Sequence, residues 1–389
     1  MEVLQVVNSI LAKNGNIGIR TNQINLRLVQ QGHVVRCICR GNKGSQSKDN
    51  LKIHSMGIIG YIPRFLNRLR NYIPFFDHRP FDIALFNLYF LITMNLNKSY
   101  KHTKVAHVWE YSPFIINYLK NRGVKVILEI PIAPAIYAKK LNDKEEIFKV
   151  FDGHIKNEIN SFKSADYLIA PSNFVKNELL KLGINESKIF TVEFGVDQNL
   201  AADIFYKKLD ANNKTINKKN IKFCFAGAVN ERKGIMELLD VWSNDIFQKD
   251  TLHLCGNVNV KIRKKINENK NKHNIITPGF VDIFSYLNDC DVFVFPSWME
   301  GSSKAVFDAM SSGLPIITSF SSGTVVRDGI DGFVIEAGNK EALKAKMLWF
   351  KDNPDKTFTM GKTALEYSKK FSWEMYSKKI IKIYSNILN

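Results

Sequence analysis

Cysteine is scarce in this chain. There are five among 389 residues, Cys37, Cys39, Cys224, Cys255 and Cys290, odd in number and without metal-ligand spacing. All lie in or beside apolar, strand-like runs, which argues against a disulfide framework or a zinc module and fits buried, reduced thiols in a cytosolic protein. No apolar run approaches the roughly 20 residues needed to cross a bilayer, since the longest, Ile83 to Met94, is interrupted by Asn87. Glu2 and Gln5 stand where a secretory leader would need a basic and then an apolar stretch, so no leader is expected. No internal repeat emerges beyond a faint strand–helix echo. No RNA-recognition, zinc-finger or helix-turn-helix pattern occurs, which leaves nucleic acid without a recognition element. Acidic residues are also few, 37 Asp and Glu against 55 Lys and Arg.

The resulting surplus of positive charge is uneven, because residues 1–150 hold 22 Lys and Arg against 9 Asp and Glu. A field of that sign attracts nucleic acid, an anionic membrane surface or a phosphorylated substrate. Around Tyr61-Ile62-Pro63-Arg64-Phe65-Leu66-Asn67-Arg68-Leu69-Arg70 the basic groups sit among aromatic and aliphatic ones, as in a segment lying on lipid headgroups. A lysine-rich solvated face is the plainer reading.

A hydrophobic content of 45% is ordinary for a folded protein, and 389 residues exceed what one core covers, about 250 to 300. Short β-branched or apolar runs alternate with helical-period segments, the pattern of parallel sheets flanked by helices, so the fold class is α/β. Strands are expected at Val3–Val7, Val34–Cys39, Ile83–Phe86, Val105–Trp109, Val124–Glu129, Tyr167–Ala170 and Phe190–Glu193. A second series is expected at Lys222–Ala226, Leu252–Cys255, Ile275–Thr277, Val292–Phe295, Pro315–Thr318 and Gly332–Ile335. A Gly15/Gly18 loop follows the first strand and precedes a helix. Lys207–Asn220, polar and without apolar period, reads as a junction loop. The domains are therefore expected at 1–200 and 201–372, followed by a helix at 373–389.

One stretch carries the most chemistry: Phe295-Pro296-Ser297-Trp298-Met299-Glu300-Gly301-Ser302-Ser303-Lys304, then Asp308-Ala309-Met310 and Gly313-Leu314-Pro315. An apolar strand stops at a proline and delivers a carboxylate and a turn of small residues, after which a helix opens. Free amides at a helix N-terminus, beyond the carboxyl end of a strand, attract phosphate. With a helix starting near Glu300, Glu300 and Asp308 stand about two turns apart on one face.

This pattern resembles the Glu-x7-Glu signature of the retaining GT-B glycosyltransferases of family 4. Other motifs follow in the family's order: Phe225-Ala226-Gly227 with Arg232-Lys233-Gly234, Leu254-Cys255-Gly256, Pro278-Gly279-Phe280-Val281 and Gly329-Ile330-Asp331-Gly332-Phe333. The first half adds Gly15 and Gly18, and Ala165-Asp166 to Ser172 leading to Phe194-Gly195-Val196-Asp197. The resemblance implies two Rossmann-like, doubly wound domains facing a central cleft, an acceptor-binding domain first and a donor-binding domain second, with the last helix returning to pack on the first domain. It implies transfer of a sugar, with retention, from a nucleoside diphosphate sugar to an acceptor hydroxyl; no metal requirement is expected, because the two aspartate pairs of the chain, Asp289 with Asp291 and Asp328 with Asp331, read as structural. The sugar nucleotide is a co-substrate and no cofactor is expected.

Site residues follow by position. Glu300 and Lys233 are the expected catalytic pair, Glu300 touching the donor sugar and Lys233 steadying the diphosphate that departs, where charge grows. Gly227, Arg232, Gly301, Ser302, Ser303, Gly15 and Gly18 are expected around the sugar and phosphates, Gly279, Phe280 and Val281 around the base, and Asp308 at the ribose. Ala228 stands where relatives often carry arginine, Asp308 is one methylene shorter than the usual glutamate, and the histidine many relatives place near Leu128-Glu129-Ile130-Pro131 is missing. His107 and Glu129 become acceptor-side candidates, His107 with a structural role as its alternative. Asp289-Cys290-Asp291 and Asp328 with Asp331 look like metal pairs but are read as structural. The basic first domain suggests a lipid-linked glycan acceptor at the inner face of an anionic membrane, in polysaccharide assembly, for a cytoplasmic or peripheral protein. An epimerase on the same architecture and a non-catalytic nucleotide-sugar-binding module are the alternatives.

Overall fold

The computed structural model describes residues 1–11, 16–43, 49–62, 79–145, 152–196 and 220–388. Thirteen strands are found there: β1 Glu2–Leu11, β2 Val34–Asn42, β3 Leu51–Ser55, β4 Val105–Val108, β5 Lys125–Glu129, β6 Tyr167–Ala170, β7 Ile189–Thr191, β8 Lys222–Ala226, β9 Thr251–Cys255, β10 Ile275–Gly279, β11 Val292–Phe295, β12 Ile316–Ser319 and β13 Gly332–Ile335. They form two parallel sheets, one ordered β3-β2-β1-β4-β5-β6-β7 and the other β10-β9-β8-β11-β12-β13. Strands covered by helices on both faces are apolar throughout rather than alternating, and β4 and β11 are buried at every position.

Each sheet places its strand C-termini on one edge. In the second sheet that edge collects the turns after β8, β10 and β11, because parallel strands leave their carboxyl ends together. The second sheet has its own core, from Ile221 through Phe225, Trp242 and Phe295 to Ala364. The helix Trp373–Leu388 belongs to neither the second sheet nor its core. Its Tyr376, Ile380, Ile381 and Tyr384 pack with Val3, Val7, Ile24 and Leu28 of the first half. A parallel bridge from Val196 to Ser372 marks where the chain crosses back.

Three local expectations are corrected. Ile83–Phe86 is helical, inside Arg79–Leu96, where buried Phe86, Phe90 and Thr93 recur every three or four residues. The run is long enough to show a helical period, and that period outweighs its β-branched content. The first helix begins at Asn16 and takes Gly18 into its opening turn, so Gly18 is not in a loop. The helix after β11 begins at Lys304 rather than near Glu300, because the Glu300 amide donates to Ser321 O at 2.9 Å and holds that residue in the loop. Strand β3 was not anticipated, since Lys52 and His54 dilute its apolar content. Gly15, Asp197, most of Tyr61–Arg70 and nearly all of Lys207–Asn220 lie outside the described residues.

Candidate active site

The loop from Pro296 to Ser303 leaves β11 at the carboxyl edge of the second sheet and lies against the first half of the chain. Ser172 Oγ donates to Gly301 O at 2.6 Å, and Tyr137 OH to Trp298 O at 3.4 Å. Gly301 is required by contact rather than by backbone angle, since a Cβ there would stand 2.1 Å from Pro131 O. The two halves therefore meet across this loop.

Glu300 is the centre of the site. Its Oε1 receives Lys233 Nζ at 2.7 Å, the Arg232 guanidinium, and Ser297 Oγ at 3.0 Å. Arg232 also donates to Met299 O at 2.7 Å, and its own carbonyl accepts from Trp298 N at 2.9 Å. The two basic residues reach the carboxylate from a short 3-10 turn, Glu231–Lys233, that ends at Gly234. Gly234 has φ 73°, and a Cβ would meet Pro296 O at 2.1 Å, so the turn can lie against the loop only with glycine there.

Lys233 is nearly buried, with its ammonium 4.7 Å from the Phe295 ring centroid. Burial lowers its pKa, and Glu300 offsets part of that by favouring the charged form. Two cations thus share one carboxylate, leaving positive charge at a water-poor sheet edge. Beside them, the amides of Gly301, Ser302, Ser303 and Lys304 meet no acceptor among the described residues, and Ser302 Oγ is buried without a partner. The eight-residue helix Lys304–Ser311 adds its positive dipole end at the same place. The arrangement is suited to a diphosphate.

The other expected donor residues lie at the ends of strands of the same sheet and on the helix that follows the loop. Gly227 follows β8 with φ 140°. Gly279, φ 78°, ends β10 with open space where a side chain would be, and Phe280 beyond it is 90% exposed, a free ring face for a base. Val281 packs partly on the core. Asp308 is buried, and both its oxygens accept from Lys304 Nζ at 2.7 Å. Glu300 in the loop and Asp308 on the helix therefore do not form the one-faced helical pair the spacing suggested.

His107 and Glu129 have a different setting from the acceptor-facing one expected. Neither has exposed surface. Glu129 Oε1 pairs with the buried Arg20 guanidinium, and Glu129 Oε2 lies 3.1 Å from His107 Nε2. A carboxylate can only accept, so Nε2 carries the proton. Burial lowers the His107 pKa and keeps the ring neutral, so Nδ1 accepts from Tyr384 OH at 2.7 Å. Arg20 Nε donates to Tyr376 OH at 3.2 Å, and its guanidinium stacks 4.3 Å from the Phe194 ring centroid. This polar chain fastens the last helix to the first sheet. No pattern in the sequence announced that link, because the Arg20–Glu129, Arg20–Tyr376 and His107–Tyr384 contacts each join residues more than 100 positions apart.

Three of the four aspartates in the metal-like pairs bond within the protein. Asp291 accepts from Lys222 N, Asp328 from Val334 N, and Asp331 holds Arg327. Sequence reasoning gave no role to Ser297 or Ser321, although Ser321 Oγ donates to Ser297 O at 2.9 Å and steadies the loop under Glu300.

Two parallel-sheet α/β units that meet across such a loop have the architecture of the GT-B class of enzymes. Residues 18–200 match the model of Glycosyltransferase Family 4, and residues 220–353 that of Glycosyl transferases group 1. The two models follow one another along most of the chain, and the protein belongs to this family of glycosyltransferases. It is 23% identical over 373 residues, 90% of this chain and 94% of the other, to the capsular polysaccharide biosynthesis glycosyltransferase CapM of Staphylococcus aureus. A sucrose-phosphate synthase from Thermosynechococcus elongatus superimposes with a TM-score of 0.78 at 16% identity, covering 100% of this chain and 99% of that one. Anabaena HepE in complex with UDP-glucose superimposes with a TM-score of 0.69 at 14% identity, covering 99% and 100%.

Proposed function

We propose that this glycosyltransferase moves a sugar, with retention, from a nucleoside diphosphate sugar to a hydroxyl of a lipid-linked glycan in surface-polysaccharide assembly. The observation that carries the reading is the Glu300 carboxylate held between Lys233 and Arg232, beside four amides that meet no acceptor among the described residues. In this reading the donor's diphosphate takes the two cations and the amides, which releases Glu300 to the sugar hydroxyls near the reacting carbon. As the glycosidic bond lengthens, charge grows on the leaving phosphate oxygen, and Lys233 with the helix amides stabilises it. That oxygen takes the acceptor's proton on the same face of the sugar, so no protein nucleophile is required. Phe280 stacks on the base and Asp308 meets the ribose. The reaction runs without a divalent ion, the cationic role being taken by Lys233 and Arg232.

A nucleotide-sugar donor is supported by the UDP-glucose complex of the similarly folded HepE, and a polysaccharide setting by CapM. The basic first 150 residues favour an acceptor presented at an anionic membrane. A panel of nucleoside diphosphates tests the donor: at 100 times its dissociation constant the right one raises unfolding free energy by about 2.7 kcal/mol. NMR of the product made in chelator, from an α-linked donor, should show the anomeric configuration kept. Stabilisation by no nucleotide, or an inverted product, overturns the reading.

A further inference from the structure

The helix Arg79–Leu96 buries Phe86, Phe90 and Thr93 on one side. On the other it leaves Phe81, Leu88, Ile92 and Leu96 exposed at 52%, 55%, 48% and 77%. With the exposed Ala84 these positions follow the helical period and make one apolar face, and from Ile83 to Leu96 the helix carries no charged residue. A second patch stands in the 3-10 helix Gly57–Tyr61 and the residue after it, with Ile58 89% exposed and Ile59 and Ile62 also open.

Both patches are anchored at the end of β2. The Gly60 backbone lies so close to Arg40 that a Cβ would stand 2.2 Å from Arg40 O, and the Arg40 guanidinium pairs with Asp82 in the first turn of the helix. Seven of the seventeen exposed large hydrophobic side chains among the described residues thus sit on two neighbouring elements. Exposed apolar residues scattered singly need no explanation, whereas a grouped patch marks a contact surface.

We propose that this face docks on an anionic phospholipid bilayer, with Ile58, Ile59, Leu88 and Ile92 entering the headgroup boundary. Charge selects that occupant. Lys43, Arg79, Lys101 and Lys104 are exposed along the same elements and their flanks, while the helix's one acid, Asp82, is held by Arg40. Basic residues at both ends of an apolar helix match lipid phosphates. A second copy of the chain would instead bring like charges together. The proposal extends the reading of a membrane-borne acceptor by naming the surface, and its test uses acceptor-free vesicles, so either idea can fail alone.

The full chain is sedimented at low salt with vesicles of mixed phosphatidylcholine and phosphatidylglycerol, and with phosphatidylcholine alone. The wild type should pellet with the mixed vesicles and be released by salt. Ile58→Ser with Ile59→Ser, and Leu88→Ser with Ile92→Ser, should each lower the partition coefficient about tenfold or more. Val260→Ser, 87% exposed in the second half, should leave it unchanged. Nucleotide-induced thermal stabilisation should be the same in all these proteins, which separates docking from folding and from the donor site. Three results would overturn the proposal: wild type that ignores the anionic vesicles, double variants that bind as wild type does, or a wild-type dimer, inert to vesicles, that the double variants split.

Discussion

Lys233→Met removes one positive charge while keeping an apolar stem against Phe295. The ammonium is nearly buried, so water screens it little, and a unit charge about 4 Å from a growing phosphate charge is worth about 4 kcal/mol at an effective dielectric of 20. Arg232 remains to take up part of the loss, so the expected rise in barrier is about 3 to 4 kcal/mol, or two to three decades in kcat/KM. Folding should hardly respond. Burial already disfavours the charged lysine, and Glu300 keeps Arg232 and Ser297 as partners. The assay is release of the nucleoside diphosphate from the donor in the presence of acceptor, with thermal unfolding measured in parallel. The pH profile gives a second reading. The lysine pKa is lowered in the free protein, so kcat/KM should fall on the alkaline side at a lower pH than an ordinary lysine would produce. Activity within threefold of wild type in the folded variant would refute the role given to Lys233. A collapse of stability that accounts for the loss would refute it as well.

Three further outcomes are expected. Burial raises the Glu158 pKa to about 7, well above the usual carboxylate range, so the stability carried by its protonated form is complete below about pH 4.5 and lost as pH rises through 7. Glu158→Gln keeps an acceptor for Ala135 N and should stabilise the protein by about 2 to 3 kcal/mol at pH 8 and by nothing at pH 4, measured by urea unfolding; equal effects at both would contradict this. Glu129→Ala strands the buried Arg20 guanidinium, whose Nη1 already has no partner among the described residues, and should cost about 3 to 5 kcal/mol in the same assay, a cost below about 1 showing the network to be dispensable. Gly301→Ala forces the loop off Pro131 O and should lower kcat about 10²-fold through misplacement of Glu300, with the fold retained by circular dichroism; unchanged turnover would mean that the loop contact does not set the geometry.

The alternation of apolar runs and helical periods made the two parallel sheets legible, because fully buried strands such as Val292–Phe295 have no polar face to confuse the pattern. Ile83–Phe86 was misread because four apolar residues look alike in a strand and in a helix. The pairing of Lys233 and Arg232 with Glu300 could not be read by spacing, since almost 70 residues separate the partners and a sheet crossing brings them together. The polar chain from Arg20 through Glu129 and His107 to Tyr384 was hidden for the same reason, being assembled by the last helix crossing to the first sheet. The helix start at Lys304 follows from long-range bonds that hold the preceding loop, among them Glu300 N to Ser321 O and Ser172 Oγ to Gly301 O, which no local signal encodes.

The most direct measurement is the structure of the protein with an intact nucleoside diphosphate sugar bound. The β-phosphate should lie within about 3 Å of Lys233 Nζ and of the Ser302 and Ser303 amides, with the sugar hydroxyls on Glu300. A diphosphate bound away from Lys233, with the Lys233–Glu300 pair left intact, would contradict it.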